Sequence, residues 1–190
     1  MLEIDPPRGD RLAELIGQLL RELGEDPGRG GLAETPDRVA SSLRHLTEGY
    51  GMEAGDAIGD ALFDQDYDEI VVVRDVPFYS LCEHHLLPFF GSVHVGYAPA
   101  ARVVGLSKIP RLVDVYAHRL QLQERMTRQI AGGLDEVARP SGVGVVVEAR
   151  HLCMEMRGVE RAGVTVTSCL LGRFSDDPRT REEFLQLVRR

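Results

Sequence analysis

The sequence is poor in several residue types, and each scarcity limits the class of protein that it can encode. Its 190 residues contain no tryptophan, 6% aromatic residues and three cysteines. Three thiols are too few, and odd in number, for a disulfide framework. No stretch approaches the roughly 18–20 uninterrupted apolar residues of a membrane span, and the first residues lack a signal-peptide pattern. These absences predict a cytoplasmic protein that does not bind membranes.

Positive charge is scarce as well. The chain has 22 Lys and Arg against 30 Asp and Glu, which gives a formal net charge of −8. Without a global positive field, the chain is not expected to be a dedicated nucleic-acid binder. Among its basic residues only Lys108 is a lysine, and all the others are arginine. In a chain that uses arginine so consistently, the single lysine is a candidate for a specific role.

Hydrophobic periodicity predicts a helical N-terminal region over residues 1–65 and a mixed body over residues 66–190. In the first region, one helix ends at Gly24 and another begins at Thr35-Pro36. Strand patterns in the body cover residues 69–76, 89–97, 143–149 and 164–171, and helical patterns cover residues 109–120, 121–138 and 177–188. Short connections favour antiparallel strands. The predicted fold class is therefore α+β, with a β-β-α-α-β-β order and an antiparallel sheet with helices on one face.

Two short motifs carry metal-binding side chains. Cys-Glu-His-His at 82–85 places one thiol and two imidazoles within four residues, and His-Leu-Cys at 151–153 follows a predicted strand. Residues three apart can face one ion from a tight turn, and residues two apart on a strand share a face. A donor set of nitrogen and sulfur suits Zn²⁺.

The number of available donors exceeds what a catalytic zinc needs. Such an ion takes three protein ligands and keeps one position for water, so we expect Cys82, His85 and Cys153 to bind it. His84 and His151 then stay as free imidazoles for proton transfer. A structural zinc closed by four of the same residues is the alternative. The third thiol, Cys169, lies within a strand pattern and is expected to be a core residue.

A basic cluster lies where a strand pattern gives way to a helical one. Ser107 is expected to cap that helix, and Lys108 and Arg111 add cations near its exposed N–H groups, which together make an anion site. Arg157, four residues past Cys153, can bring a further cation from the metal side. The alternative is a capped helix with solvated charges.

Gln123 and Glu124 stand near the start of the next predicted helix. Glu124 can form an ordinary i,i+4 ion pair with Arg128. It can also accept hydrogen bonds from a ring N–H and an exocyclic amine such as guanine offers. The spacing alone does not choose between the two.

Taken together, four segments resemble the motifs of the GTP cyclohydrolase I family. They are Ser-Leu-Cys-Glu-His-His-Leu-Leu-Pro-Phe (80–89), Gly-Leu-Ser-Lys-Ile-Pro-Arg (105–111), Gln-Leu-Gln-Glu-Arg-Met-Thr-Arg-Gln-Ile (121–130) and His-Leu-Cys-Met-Glu-Met-Arg-Gly (151–158). The likeness extends from about residue 34 to residue 185. It implies a tunnelling fold and a homodecamer of two pentameric rings, with active sites between subunits. The implied reaction converts GTP and water into 7,8-dihydroneopterin triphosphate and formate, the first step towards folate or tetrahydrobiopterin.

The resemblance also implies residue roles. Cys82, His85 and Cys153 correspond to the zinc ligands. His151 corresponds to the acid that protonates guanine N7 while zinc-bound water attacks C8, and His84 to a second proton-transfer group near the ribose.

The substrate-binding positions follow in the same way. Those that match the triphosphate site are Ser107, Lys108, Arg111 and Arg157, and those that match the guanine site are Gln123 and Glu124. Ser107 is also implied to assist the later sugar rearrangement. Arg38 matches a basic residue that a neighbouring subunit contributes, but Ser41 stands where some members carry a second one.

Two other functions remain open from the sequence. One is a tunnelling-fold relative that acts on another purine or pterin, and the other is a catalytically silent GTP-binding or regulatory oligomer with a structural zinc. His84 and His151 favour an enzyme, because a structural site has no use for unligated imidazoles.

Overall fold

A computed structural model describes residues 10–189 of the chain, which divides into two compact units between His45 and Leu46. Two helices build the first unit, α1 (Arg11–Glu22) and α2 (Thr35–Leu46), and only the last residue of α2 falls in the second. The expected division between residues 65 and 66 stays a prediction. The signal-peptide expectation concerns residues 1–9, which lie outside the described part.

Asp10 organises the first unit. Its carboxylate caps α1 by accepting hydrogen bonds from the backbone N–H groups of Leu12 and Ala13. The same carboxylate pairs with Arg44 on α2, with 2.6 Å between Arg44 Nη1 and Asp10 Oδ2. The Arg44 guanidinium lowers the pKa of Asp10 to about 2. One acidic side chain therefore both begins α1 and ties it to α2.

The second unit contains the sheets and the remaining helices. After a 3₁₀ turn at Glu48–Gly51, its elements in chain order are α3 (Ala54–Ile58), β1 (Leu62–Asp64), β2 (Val71–Cys82), β3 (Pro88–Ala98), β4 (Arg102–Val104), α4 (Lys108–Ala117), β5 (Leu120–Gln121), α5 (Gln123–Ala138), β6 (Gly142–His151), α6 (Leu152–Glu155), β7 (Thr165–Gly172), α7 (Arg173–Asp176) and α8 (Pro178–Val188). None of the helices within residues 10–189 is both long and apolar enough to cross a membrane.

The main sheet has five strands in the order β5-β2-β3-β6-β7. The pairs β2–β3, β3–β6 and β6–β7 are antiparallel, as predicted, and the two-residue β5 adds a parallel edge to β2. A two-residue strand carries too little pattern to be predicted, and α4 ends at Ala117, earlier than expected. The predicted α+β class is confirmed.

Strand β2 runs six residues further than its sequence pattern suggests. A register shift between Val73 and Val76, with Asp75 at a φ of +57°, interrupts the alternation, and Pro77 follows within the strand. A bulge of this kind inserts an unpaired residue and then lets pairing resume. The strand therefore continues to Cys82 and brings this residue to the end of the sheet.

Both faces of the sheet are covered. On one face Val93, Val95 and Tyr97, all buried as the alternation predicts, join the core formed with α4 and α5. On the other face Phe174 of α7 and Phe184 of α8 are fully buried. They lie over glycines: a Cβ added at Gly144 would be 2.7 Å from atoms of both rings. The prediction places helices on one face only, and the two aromatic side chains explain why the terminal helices cover part of the other.

Candidate metal centre and active site

The first metal-binding motif forms a tight turn between β2 and β3. The carbonyl of Cys82 accepts hydrogen bonds from the N–H groups of His85 (3.2 Å) and Leu86 (2.8 Å), and the N–H of Cys82 donates to the carbonyl of Leu87 (2.9 Å). Leu86 has a φ of +55°, which reverses the chain. The turn brings His85 Nδ1 to 3.8 Å from Cys82 Sγ, as the three-residue spacing predicts.

The second motif lies at the end of β6, two strands away in the sheet. His151 is the last residue of β6, and Cys153 lies in α6, a single helical turn. The two residues therefore do not share a strand face as expected, because the chain turns into a helix at Leu152. Cys153 still reaches the first motif: one donor atom from each of Cys82, His85 and Cys153 lies within 4.8 Å of the others.

These three side chains fit a zinc ion. Zn–S and Zn–N bonds of about 2.3 and 2.0 Å in a tetrahedron place sulfur and nitrogen about 3.5 Å apart. This is close to the 3.8 Å between Cys82 Sγ and His85 Nδ1. Both thiols are buried, and burial, followed by the neighbouring Cys82, raises the pKa of Cys153. Buried thiols side by side favour a cation between them, since thiolates repel each other without one. Within residues 10–189, no fourth His, Cys, Asp or Glu belongs to this group.

His151 is close to the cluster in sequence but contacts Phe89 and Gln123 and is not one of the three grouped donors. Its ring stacks on Phe89 at 4.8 Å between centroids, and its Nε2 is 2.8 Å from Oε1 of Gln123. The amide nitrogen of Gln123 already donates to Val147 O, Thr165 O and Thr167 Oγ1, so its oxygen is the acceptor. His151 must therefore carry a proton on Nε2 to donate it.

Burial is the main cause of the lowered pKa of His151, and the nearby carboxylates of Glu124 and Glu155 oppose it. Because the Gln123 amide oxygen must accept the hydrogen bond, Nε2 is the donor nitrogen of the His151 ring. Nδ1 is the acceptor when the ring is neutral.

Gln123 and Glu124 differ sharply although they are adjacent. Gln123 is buried, and both its amide nitrogen and its amide oxygen form hydrogen bonds within the protein. Sequence analysis does not predict these hydrogen bonds. Glu124 is exposed, and in the described part of the chain its carboxylate has no hydrogen bond or ion pair. The alternative pair between Glu124 and Arg128 is not formed.

The predicted anion-binding residues stand on the first turn of α4 or just before it. Ser107 is exposed and occupies the N-cap position of α4, as predicted, but its backbone is in the right-handed helical region and its hydroxyl makes no capping bond. Such a cap needs an extended backbone at the capping residue. The N–H of Lys108 instead donates to the carbonyl of Gly105, at 2.8 Å. Arg111 is exposed and lines a cavity of about 250 Å³ whose wall includes Asp56 and Asp114.

The other two predicted basic residues have different partners. Nη1 of Arg157 lies 3.0 Å from His85 Nε2 and 3.4 Å from the carbonyl of Cys153, so this cation belongs to the metal cluster. Arg38 lies on α2 in the first unit and pairs with Glu34.

His84 is exposed, and its ring stands at 90° to that of His85 with 6.1 Å between centroids. The site on this chain thus has two parts. Among residues 10–189, no hydrogen bond or ion pair joins Ser107, Lys108 or Arg111 to the metal cluster.

Two ion pairs that sequence analysis misses flank the metal cluster. Glu83, between two candidate ligands, is bound through both carboxylate oxygens by Arg125, which lowers the pKa of Glu83. Arg150 pairs with Glu155 on either side of the second motif. The only signal for Glu83 in the sequence is its place inside Cys-Glu-His-His.

The comparisons with known proteins agree with these motifs. The sequence profile of the GTP cyclohydrolase I family matches residues 12–189. The chain belongs to this family. Three relatives, each named GTP cyclohydrolase 1, come from Synechococcus sp. (strain JA-2-3B'a(2-13)), Rattus norvegicus and Homo sapiens. They are 59%, 53% and 54% identical over 92%, 94% and 94% of this chain, which spans 76%, 74% and 72% of their lengths. The predicted family and its tunnelling fold are thereby confirmed.

Proposed function

We propose that the chain is a zinc-dependent hydrolase that converts GTP and water into 7,8-dihydroneopterin triphosphate and formate. This reaction is the first step of folate or tetrahydrobiopterin biosynthesis. The observation that carries the proposal is the position of His151, beside a three-donor metal cluster yet held by Gln123 instead of the metal. Family membership supports the same reaction.

Cys82, His85 and Cys153 hold the metal in this proposal. Zinc with three protein ligands keeps a fourth position for water and lowers the pKa of that water, which is the chemistry that hydrolysis at a poor electrophile requires. The burial of both thiols keeps bulk water away from these two ligands. His85 is exposed, so the metal stays accessible to substrate.

His151, when its ring is doubly protonated, supplies the proton on Nδ1 to N7 of guanine, which makes C8 more electrophilic, while Nε2 continues to donate to Gln123. Its stacking on Phe89 and its bond to Gln123 hold the ring plane, so no reorientation is needed when substrate arrives. His84 is exposed, which suits the second proton transfers during ring opening and sugar rearrangement.

Glu124 recognises guanine by accepting hydrogen bonds from the ring N–H and the exocyclic amine. Its carboxylate is exposed and lies close enough to His151 to raise the pKa of that ring. Gln123 was predicted to share this role. Its amide side chain supports His151 in the structure, so we assign recognition through this pair to Glu124.

The triphosphate is bound by Ser107, Lys108, Arg111 and Arg157, with Arg38 contributed by a neighbouring subunit. When Nδ1 of His85 binds a metal, its Nε2 carries a proton and can only donate a hydrogen bond. Arg157 can also only donate, so the contact between Arg157 and His85 Nε2 is then lost. The guanidinium is then available to phosphate. Because the start of α4 makes no polar contact with the metal cluster in the described part of the chain, we propose that α4 of another copy completes each site, as in a homodecamer of two pentamers.

The test is to incubate the pure protein with GTP and to assay formate, together with a fluorescent pterin after oxidation. We expect both products, their loss after treatment with a zinc chelator, and their return on adding zinc. Absence of any chelator-sensitive product, with bound zinc and intact assembly, would instead support the catalytically silent oligomer with a structural zinc.

A further inference from the structure

An ion pair between Glu83 and Arg125 braces the turn that contains Cys82 and His85. The carboxylate of Glu83, which lies between two candidate ligands in the chain, accepts hydrogen bonds from both terminal nitrogens of Arg125, at 2.5 and 3.0 Å. The N–H of Glu83 also donates to the carbonyl of Gln121, at 3.1 Å. Glu83 is thus fixed at its backbone and at its carboxylate.

The partner of Glu83 stands on a rigid support. Arg125 belongs to the first turn of α5, and three later residues of this helix, Met126, Ile130 and Leu134, are fully buried in the core. The same first turn carries Gln123, whose amide oxygen holds His151. The start of α5 therefore contacts both motifs of the metal centre, which lie on strands separated by β3 in the sheet.

We propose that Arg125 is a positioning residue that sets the zinc affinity of the centre by fixing the Cys82–His85 turn through Glu83. This inference rests on the proposed metal centre. Side chains that orient metal ligands contribute strongly to metal affinity although they do not touch the ion.

A purely structural ion pair would behave differently. The side chains of Arg125 and Glu83 are 42% and 28% exposed, and pairs of this kind contribute little to folding. The proposal therefore expects removal of the pair to weaken zinc binding much more than it weakens the fold.

The experiment titrates zinc into metal-free protein against a chromophoric chelator and records thermal unfolding of the metal-free form. The variants are Arg125→Ala, Glu83→Gln and Arg125→Lys. We expect the first two to bind zinc about 10-fold more weakly or worse, within the range known for outer-layer residues. Lysine keeps the charge but not the two-pronged geometry, so Arg125→Lys is expected to fall between Arg125→Ala and the unsubstituted protein.

A matched control is Arg29→Ala, which removes a comparably exposed arginine from its pair with Glu25 in the first unit. This control is expected to bind zinc as the unsubstituted protein does. Unchanged zinc affinity in both Arg125→Ala and Glu83→Gln would overturn the proposal, as would an equal loss in the control. If Arg125→Ala does not fold, the nearly isosteric Glu83→Gln decides. If the unsubstituted protein binds no zinc, the proposed metal centre itself fails.

Discussion

The two parts of the candidate site are built in opposite ways. In the metal part, buried thiols and a stacked histidine are held by partners from several elements, so that its geometry exists before any ligand arrives. In the anion part, Ser107 and Arg111 are exposed, and no capping bond holds the Ser107 hydroxyl. The fold thus preorganises the centre that must bind a small ion. It leaves the phosphate-binding side chains to be arranged by substrate and by a second copy.

The contrast extends to the way in which each part is encoded. The anion part is one continuous segment, residues 105–111. The metal part joins three segments that are far apart in the chain, namely residues 82–85, 123–125 and 151–157. A substitution in the metal part should therefore change metal binding or turnover. One in the anion part should change substrate affinity and leave the metal in place.

The largest effect is expected from Cys153→Ser. Loss of one of three ligands should reduce zinc affinity by more than about 100-fold, beyond the range for outer-layer residues, and abolish formate release. Metal content by atomic spectroscopy and the formate assay measure this. Cys169→Ser is the matched control, because the Cys169 thiol is outside the cluster. Equal zinc loss in the two variants would contradict the assignment.

A smaller effect is expected from Lys108→Ala, on substrate alone. A charge-assisted contact to phosphate is worth about 1.5–3 kcal/mol, so KM for GTP should rise about 10- to 100-fold at unchanged zinc content. Lys108→Arg should also raise KM, though less, because a planar fork replaces a compact point charge. Steady-state kinetics tests both variants. An unchanged KM for Lys108→Arg would mean that the single lysine has no specific role.

Glu124→Gln is expected to raise KM about 10-fold by removing one charge-assisted hydrogen bond to guanine, with little effect on folding. Arg128→Ala is its control, since Arg128 is the i,i+4 partner that Glu124 does not use. If Arg128→Ala has the same effect as Glu124→Gln, the ordinary helical pair forms in solution and guanine recognition by Glu124 loses its support.

The smallest effect is the change that Ser107→Ala is expected to make to the free energy of unfolding. Removal of a capping serine costs about 1 kcal/mol, whereas a non-capping surface serine should change the free energy of unfolding by less than about 0.5 kcal/mol. Asp177→Ala provides the contrast, because Asp177 caps α8 by accepting from the N–H groups of Arg179 and Thr180, and its Tm should fall. Denaturant unfolding and thermal scans compare them. A clear destabilisation by Ser107→Ala would restore the capping role.

Local patterns in the sequence carried the prediction of the ligands and of most elements. Cys82 and His85 are three residues apart, so one turn decides their geometry. The alternation in β3 correctly puts Val93, Val95 and Tyr97 on one face, in the main core, and Gly96 on the other, against Phe184. The Asp-Pro pair at 177–178 likewise predicts the start of α8, which the structure confirms.

What could not be predicted depends on contacts between distant segments. Arg125 and Glu83 are 42 residues apart, and the amide of Gln123 is bound by β6 and β7, so neither partner is visible in a local pattern. The backbone of Ser107 is decided by how the chain leaves β4, which residue type alone does not specify. The same holds for the helical turn that begins at Leu152.

The most direct test of a preorganised catalytic metal centre is one measurement on His151→Ala, the zinc content per chain alongside formate release from GTP. Since His151 binds Gln123 and is outside the three-donor cluster, the account predicts about one zinc per chain, an unchanged assembly and turnover reduced by about 10²–10⁴-fold, as for loss of a general acid. Loss of zinc from this variant would contradict it. His151 would then be a fourth ligand, and the site would be a closed, structural one.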